Sequence, residues 1–350
     1  MRRRERIDAA IAGERPDRTP TLGGWLAYPR HVQELAGVDE AEYWADPVGV
    51  SIEAYRRLDV DALMGVFVPR AGEYRNVDAH SYKRSEVLSL DAAVAAIEAM
   101  PEPAEIVSAF DHEAEYQKIA ASLRERQALC GEIIWMPAKW AASAYLSWYH
   151  DFGYETFFMI VGLYPEHARK LMRVGGARAR CQSTIIARAV REGLRPKALL
   201  LGHDICDQRG PMVSPDFLER EYIPELASSI EPQLEVGCRP VWHSDGNVMP
   251  LVDMLIDAGI EGFQGFQPEC GVRVEEIVRR RTRDGSKLLV FGPMAVTTEL
   301  PIMTPAQVRA RVSKVIEICD GEANLLLFTS NTVTPDVPLE NVVAMYAHDK

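Results

Sequence analysis

Val241-Trp242-His243-Ser244-Asp245-Gly246-Asn247 is the stretch on which the reading of this chain turns. An apolar approach of strand type ends in a histidine and an aspartate spaced i, i+2, and Gly246-Asn247 then breaks it. Residues two apart on an extended chain point to the same face, so the imidazole and the carboxylate reach toward one bound ion or substrate. The alternative from these residues alone is a core histidine followed by a turn-capping aspartate. The rest of the chain decides between them.

Outward from this run, short apolar segments alternate with helical patterns. Strands are predicted at Thr21–Leu26, Ala62–Val68, Ala128–Met136, Ala198–Gly202, Arg239–Trp242, Gly262–Phe266, Lys287–Phe291 and Asn324–Thr329. Helices are predicted at Pro165–Arg191, at Pro215–Leu234 behind the cap Ser214, at Met249–Ala258 before Gly259, and at Val274–Arg283 before Gly285. A further helix opens at Thr304-Pro305 and runs to Cys319. Repeated strand–helix alternation predicts an α/β protein, a (β/α)8 TIM barrel filling residues 1–350 as a single domain with an N-terminal helix. The interval 70–127 is too long for one connection and predicts a helical insertion, with Asp111–Arg126 its clearest helix. No GxGxxG or GxxxxGK[ST] loop follows any strand, which argues against a nucleotide fold.

Composition narrows the class. The net charge of −12 gives the chain no general attraction for a polyphosphate backbone, so nucleic acid is not an expected partner. The six cysteines are scattered without a CxxC pair, as suits reduced thiols. No apolar run is long enough to span a membrane, and no signal-peptide core follows the basic N-terminus. A cytoplasmic soluble protein is expected.

In a barrel of this kind, chemistry sits at the C-terminal ends of the strands. Those ends carry Trp25 and Tyr28, Pro69-Arg70, Trp135-Met136-Pro137, His203-Asp204, His243-Ser244-Asp245, Gln267-Pro268-Glu269-Cys270, Gly292-Pro293-Met294 and Ser330-Asn331. Two of the eight histidines fall there, each beside a carboxylate. His203, Asp204, His243, Asp245 and Glu269 offer nitrogen and oxygen donors that suit zinc, iron or manganese, or act without metal as acids and bases. Trp25, Tyr28, Trp135, Trp140, Tyr145, Trp148 and Tyr149 are expected to line the mouth.

Several segments, in order, resemble the uroporphyrinogen decarboxylase superfamily, which includes corrinoid-dependent methyltransferases. They are Arg4-Glu5-Arg6-Ile7 with Gly13 to Pro20, Gly202-His203-Asp204 through Gly210 to Pro215, His243 to Asn247, Gly292-Pro293, and Thr334 to Val342. The resemblance implies a (β/α)8 barrel, often a homodimer. The decarboxylases' arginine-rich segment after the first strand corresponds here to Trp25-Leu26-Ala27-Tyr28-Pro29, their essential aspartate to Val68 and their C-terminal histidine to Asn331. An apolar Val68 cannot hold pyrrole N–H groups, which argues against porphyrinogen decarboxylation.

The methyltransferase branch binds zinc through His-x-Cys on the fifth strand and a cysteine after the eighth. The matching positions here are His243, Asp245 and Asn331. Replacing thiolates by a carboxylate and an amide favours a harder ion or a more Lewis-acidic zinc. The leading expectation is a divergent methyltransferase-like enzyme that moves a methyl group between a small substrate and a cobamide or other acceptor. His243 and Asp245 would hold zinc or another divalent metal, with Asp204, His203 and Glu269 as catalytic groups and Trp25, Tyr28, Trp135 and Asn331 against the substrate. The cobamide would come in trans, free or on a separate corrinoid protein, since the barrel leaves no length for its own corrinoid domain. The alternatives are a metal-free decarboxylase or lyase of a small acid, and a non-catalytic ligand-binding barrel.

Overall fold

Every predicted strand contains a parallel ladder, but the ladders are unequal in length. The computed structural model describes residues 1–70 and 87–347. The strands β1 (Leu22–Gly23), β2 (Ala62–Leu63) and β3 (Ile134–Trp135) form a three-stranded parallel sheet in chain order. A five-stranded parallel sheet follows, also in chain order: β4 (Ala198–Gly202), β5 (Arg239–His243), β6 (Gly262–Gln264), β7 (Leu289–Met294) and β8 (Asn324–Thr329). Parallel bridges Thr21↔Leu327 and Leu26↔Val333 join the β1 and β8 regions. On the other flank, Lys139 N–H donates to Leu200 O at 2.9 Å, without a ladder between β3 and β4 among the described residues. The eight parallel strands are therefore observed, whereas a continuous closed ladder is not found among the described residues.

Side-chain alternation shows how the sheets are buried. On β4, Ala198 and Leu200 join one core cluster while Leu199 and Leu201 join another. The same split divides Val241 from Trp242, Phe291 from Val290, and Phe328 from Leu327. The first cluster also takes Leu22, Ala62, Met64, Ile134 and Met136 from the three-stranded sheet, so the inner faces of both sheets meet in one core. Ile7, Ala10 and Ile11 of the N-terminal helix Arg3–Ala12 pack against that core. The second cluster lies between the sheets and the helices. Two-sided burial explains why these strands read as unbroken apolar runs rather than alternating ones.

Many predicted boundaries move, in the strands as well as in three helical stretches. Of the expected strand 128–136, Ala128–Cys130 instead ends the helix His112–Cys130, which continues until Gly131 at φ 64° stops it. The predicted helix 274–283 is only Val274–Ile277. The predicted helix 215–234 contains a π-turn at Leu218–Tyr222, next to Pro224, which has no N–H to continue the ladder. The helices Pro165–Arg191 and Pro305–Cys319 match their predicted spans. Of the insertion expected over 70–127, residues 71–86 lie outside the described residues, and the remainder holds the helices Leu90–Glu98, Pro103–Ala109 and the start of His112–Cys130.

At the N-terminal end of the strands, the fully buried Asp61 accepts from Arg6 Nη1 at 2.6 Å, Thr21 N at 3.0 Å and Arg18 Nη2 at 3.1 Å. Arg6 also pairs with Asp17 at 2.7 Å. These arginines bind the first helix to the sheet and are spent on structure.

Candidate active site

The strand ends come together because glycine lets them. Gly202 closes β4 at φ +123°, and a Cβ there would lie 2.4 Å from His243 O. β4 therefore runs against β5, with Gly202 in register with His243, and delivers Asp204 beside the imidazole. Gly246 at φ +82° turns the chain sharply after Asp245, where a Cβ would lie 2.5 Å from Asp207 O. Only glycine meets both demands at once.

Asp204, His243 and Asp245 each present a ligand atom, and the three atoms lie within 4.8 Å of one another. His243 Nε2 is 3.7 Å from Asp204 Oδ1, and that same oxygen accepts the Asp245 backbone N–H at 2.9 Å. Asp245 is the most restrained of the three. Asn331 Nδ2 donates to its Oδ1 at 2.9 Å and to its Oδ2 at 2.8 Å, while Asn331 Oδ1 accepts Thr332 N–H. Burial pushes the Asp245 carboxyl above its ordinary range; His243 and Asn331 pull it down, and Asp204 and Glu269 push it further up. Two carboxylates and an imidazole thus lie close enough together to share a cation or a proton.

Around this cluster the aromatic wall is narrower than expected. Trp25 meets His243 edge-on with ring centroids 5.8 Å apart, and Trp140 lies tilted at 5.5 Å. Trp25 is buried against Phe328, while Trp140 is 40% exposed. Tyr145 packs edge-on to His203 at 5.0 Å, and Tyr149 donates its hydroxyl to Asp204 O at 2.8 Å. Trp148 stacks on Phe152 in the core.

The remaining candidates separate. His203 sits next to Asp204, yet its Nε2 is shut off from solvent with no hydrogen-bond partner. Burial pushes its imidazole down to about 4, against the raising influence of the Ser143 backbone and Asp204. It is held neutral and outside the cluster of three. Glu269 is exposed and accepts from Thr297 Oγ1 at 2.5 Å, so it influences Asp245 by charge but does not join the cluster. Tyr28 packs on His31 at the start of the helix Pro29–Ala36. Trp135 is misplaced by the sequence reading: Ile134 and Met136 take the inner face, and period two turns Trp135 outward against the helices.

Gln264 was not singled out from sequence. It faces inward on β6, in register with His243, buried to 3% exposure. A polar residue at the inner position of the apolar strand Gly262-Phe263-Gln264 is the signal that marks it. Gln267 adds a second amide, accepting Gly246 N–H at 2.6 Å.

Among the described residues no cysteine joins the cluster. Burial holds the Cys206 thiol up at about 12 and raises that of Cys270, which points to Gln267 Oε1 at 3.9 Å. The donor set is one imidazole and two carboxylates, which suits a hard or borderline divalent ion.

The chain matches no protein-family model and no curated protein. Among solved structures it aligns with a methyltransferase from Methanosarcina mazei over 99% of this chain and 98% of that one, at TM-score 0.62 and 16% identity. The fold is shared with a methyltransferase. At that identity the likeness concerns the fold alone. A putative vitamin-B12-independent methionine synthase from Listeria monocytogenes aligns over 53% of this chain and 57% of its own at TM-score 0.32 and 18% identity, a match too weak to carry an argument. Among the described residues no helix is long and apolar enough to cross a membrane.

Proposed function

We propose that this chain is a methyltransferase-like enzyme of the uroporphyrinogen decarboxylase type, with its two sheets as the arcs of a (β/α)8 barrel and its chemistry at Asp204, His243 and Asp245. The observation that carries this reading is the convergence of those three ligand atoms within 4.8 Å at the ends of β4 and β5. A divalent cation held there, zinc or a harder ion, supplies Lewis acidity toward an oxygen or other heteroatom of a small substrate. The protein's own groups do the rest. Asn331 keeps the Asp245 carboxylate aimed inward, and the Asp245 N–H orients Asp204. Trp25 and Trp140 pack against the imidazole and offer flat apolar surface to the substrate. Glu269 adds negative charge at the rim. The methyl acceptor or donor in this reading is a cobamide delivered in trans, and the enzyme works as a homodimer in the cytoplasm.

Metal analysis of purified protein tests this reading. About one equivalent of a divalent metal is expected per chain, lost in His243→Ala and in Asp245→Ala. Full activity in metal-stripped protein or in Asp245→Ala would overturn it. A second reading is favoured by the raised Asp245 carboxyl: a metal-free lyase or decarboxylase in which Asp245 and His243 exchange a proton. Activity that survives chelation but follows the ionisation of this pair would select it.

A further inference from the structure

We propose that Gln264 is a positioning residue that sets the tautomer of His243, holding the proton on Nδ1 and turning the Nε2 lone pair toward Asp204 and Asp245. This rests on the reading of His243 as a ligand, but its physical argument is separate.

The constraint on Gln264 begins at the β8 backbone. Gln264 Nε2 donates to Thr329 O at 2.9 Å and to Ser330 O at 2.8 Å. Both are carbonyl acceptors, so only the NH2 end of the amide fits there, and the carbonyl end must face the other way. The other way is His243: Oε1 lies 2.5 Å from Nδ1, because β5 and β6 set His243 and Gln264 side by side. An amide oxygen only accepts, so Nδ1 must carry a proton. In the neutral ring Nε2 is then the bare nitrogen, and it is the atom that faces Asp204 Oδ1 at 3.7 Å. Gln264 is buried and has no further freedom to turn. The chain of constraint runs from β8 carbonyls, through one amide, to the nitrogen available for a ligand. A histidine that binds through one nitrogen is commonly oriented by a hydrogen bond from the other, and loss of that partner typically weakens metal binding 10–100-fold.

Nitrogen NMR of histidine-labelled, metal-free protein tests the tautomer directly, with the His243 signals assigned by their loss in His243→Ala. At about pH 8.5, above the imidazole range, protonated Nδ1 and bare Nε2 are expected. A ring protonated on Nε2 alone, or on both nitrogens, overturns the proposal. Gln264→Leu and Gln264→Glu separate positioning from structure, since both lose the donors to Thr329 O and Ser330 O but only Gln264→Glu keeps an acceptor for Nδ1–H. Gln264→Glu should keep the wild-type pattern. Gln264→Leu should lose it and bind Zn2+ or Co2+ about 10–100-fold more weakly. Equal behaviour of the two variants overturns the proposal, and if neither folds the wild-type spectrum decides alone. Failure to bind metal, with the Nδ1–H pattern present, would remove the proposed metal role and leave the tautomer assignment standing.

Discussion

Exchanging Asn331 for aspartate probes the centre of the site with a calculable cost. In the native protein Asn331 Nδ2 lies 2.8 Å from Asp245 Oδ2 and donates to it. Asn331→Asp replaces that donor by a carboxylate oxygen. Two full charges at that separation repel by about 6 kcal/mol at an effective dielectric near 20. Holding one proton between them at pH 7 costs only about 4 kcal/mol for a carboxyl of ordinary pKa near 3.9. The cheaper route wins, and Asp245 is already pushed up by burial, which lowers the cost further. We expect Asn331→Asp to be less stable than wild type by about 3–4 kcal/mol at pH 7 in chelator.

The sign follows from linkage. The folded pair has a raised pKa, so its proton is bound more tightly folded than unfolded, and the deficit shrinks as pH falls. At pH 5 about 1 kcal/mol should remain. A divalent cation should replace the shared proton in the now carboxylate-rich cluster, and at 100 times its Kd would restore about 2.7 kcal/mol. Urea unfolding at both pH values, with chelator and with Mn2+ or Zn2+, reads all three quantities. Unchanged stability at pH 7 in chelator would refute the reasoning, because the Asn331–Asp245 contact would then not exist in solution.

Three further outcomes follow from the same geometry. His203 has a folded pKa lowered to about 4, so its contribution is complete above the ordinary histidine value near 6.5 and is lost as pH falls through 4. That is roughly 3 kcal/mol of acid sensitivity, which His203→Phe should remove from the pH dependence of urea unfolding. Asp61→Ala should cost about 3–5 kcal/mol by leaving the buried Arg6 without one of its two carboxylates, measured by the same method with no loss of site geometry. Trp25→Ala should cost about 3–5 kcal/mol as a buried aromatic, whereas the 40% exposed Trp140→Ala should change stability by less than about 1 kcal/mol. Equal costs for the two tryptophans would contradict their placement.

Read from the chain alone, the order of strands and helices was legible because two-sided burial writes itself as compact apolar runs between capped helices. The place of the cluster of three was legible too: period two puts Val241 and His243 on one face, and Gly246 ends the run behind Asp245. Ladder lengths were not legible. An apolar run such as 62–68 pairs only at Ala62–Leu63, because hydrogen bonds depend on where the neighbouring strand lies. Nor was the direction of Trp135 legible, since a shift of one residue in the strand's frame sends a side chain to the opposite face. Sequence placed His203, Asp204, His243, Asp245 and Glu269 in one group; tertiary structure kept three, shut His203 away and paired Glu269 with Thr297. The role proposed for Gln264 lay beyond local sequence, which marks the residue only as a polar side chain at an inner strand position. It arises from the register of β6 with β5 and from two carbonyls at the end of β8, more than sixty residues away along the chain. Chain pattern says which groups reach the C-terminal ends of the strands, and only the packed sheets decide which nitrogen, which oxygen and which neighbour face one another there.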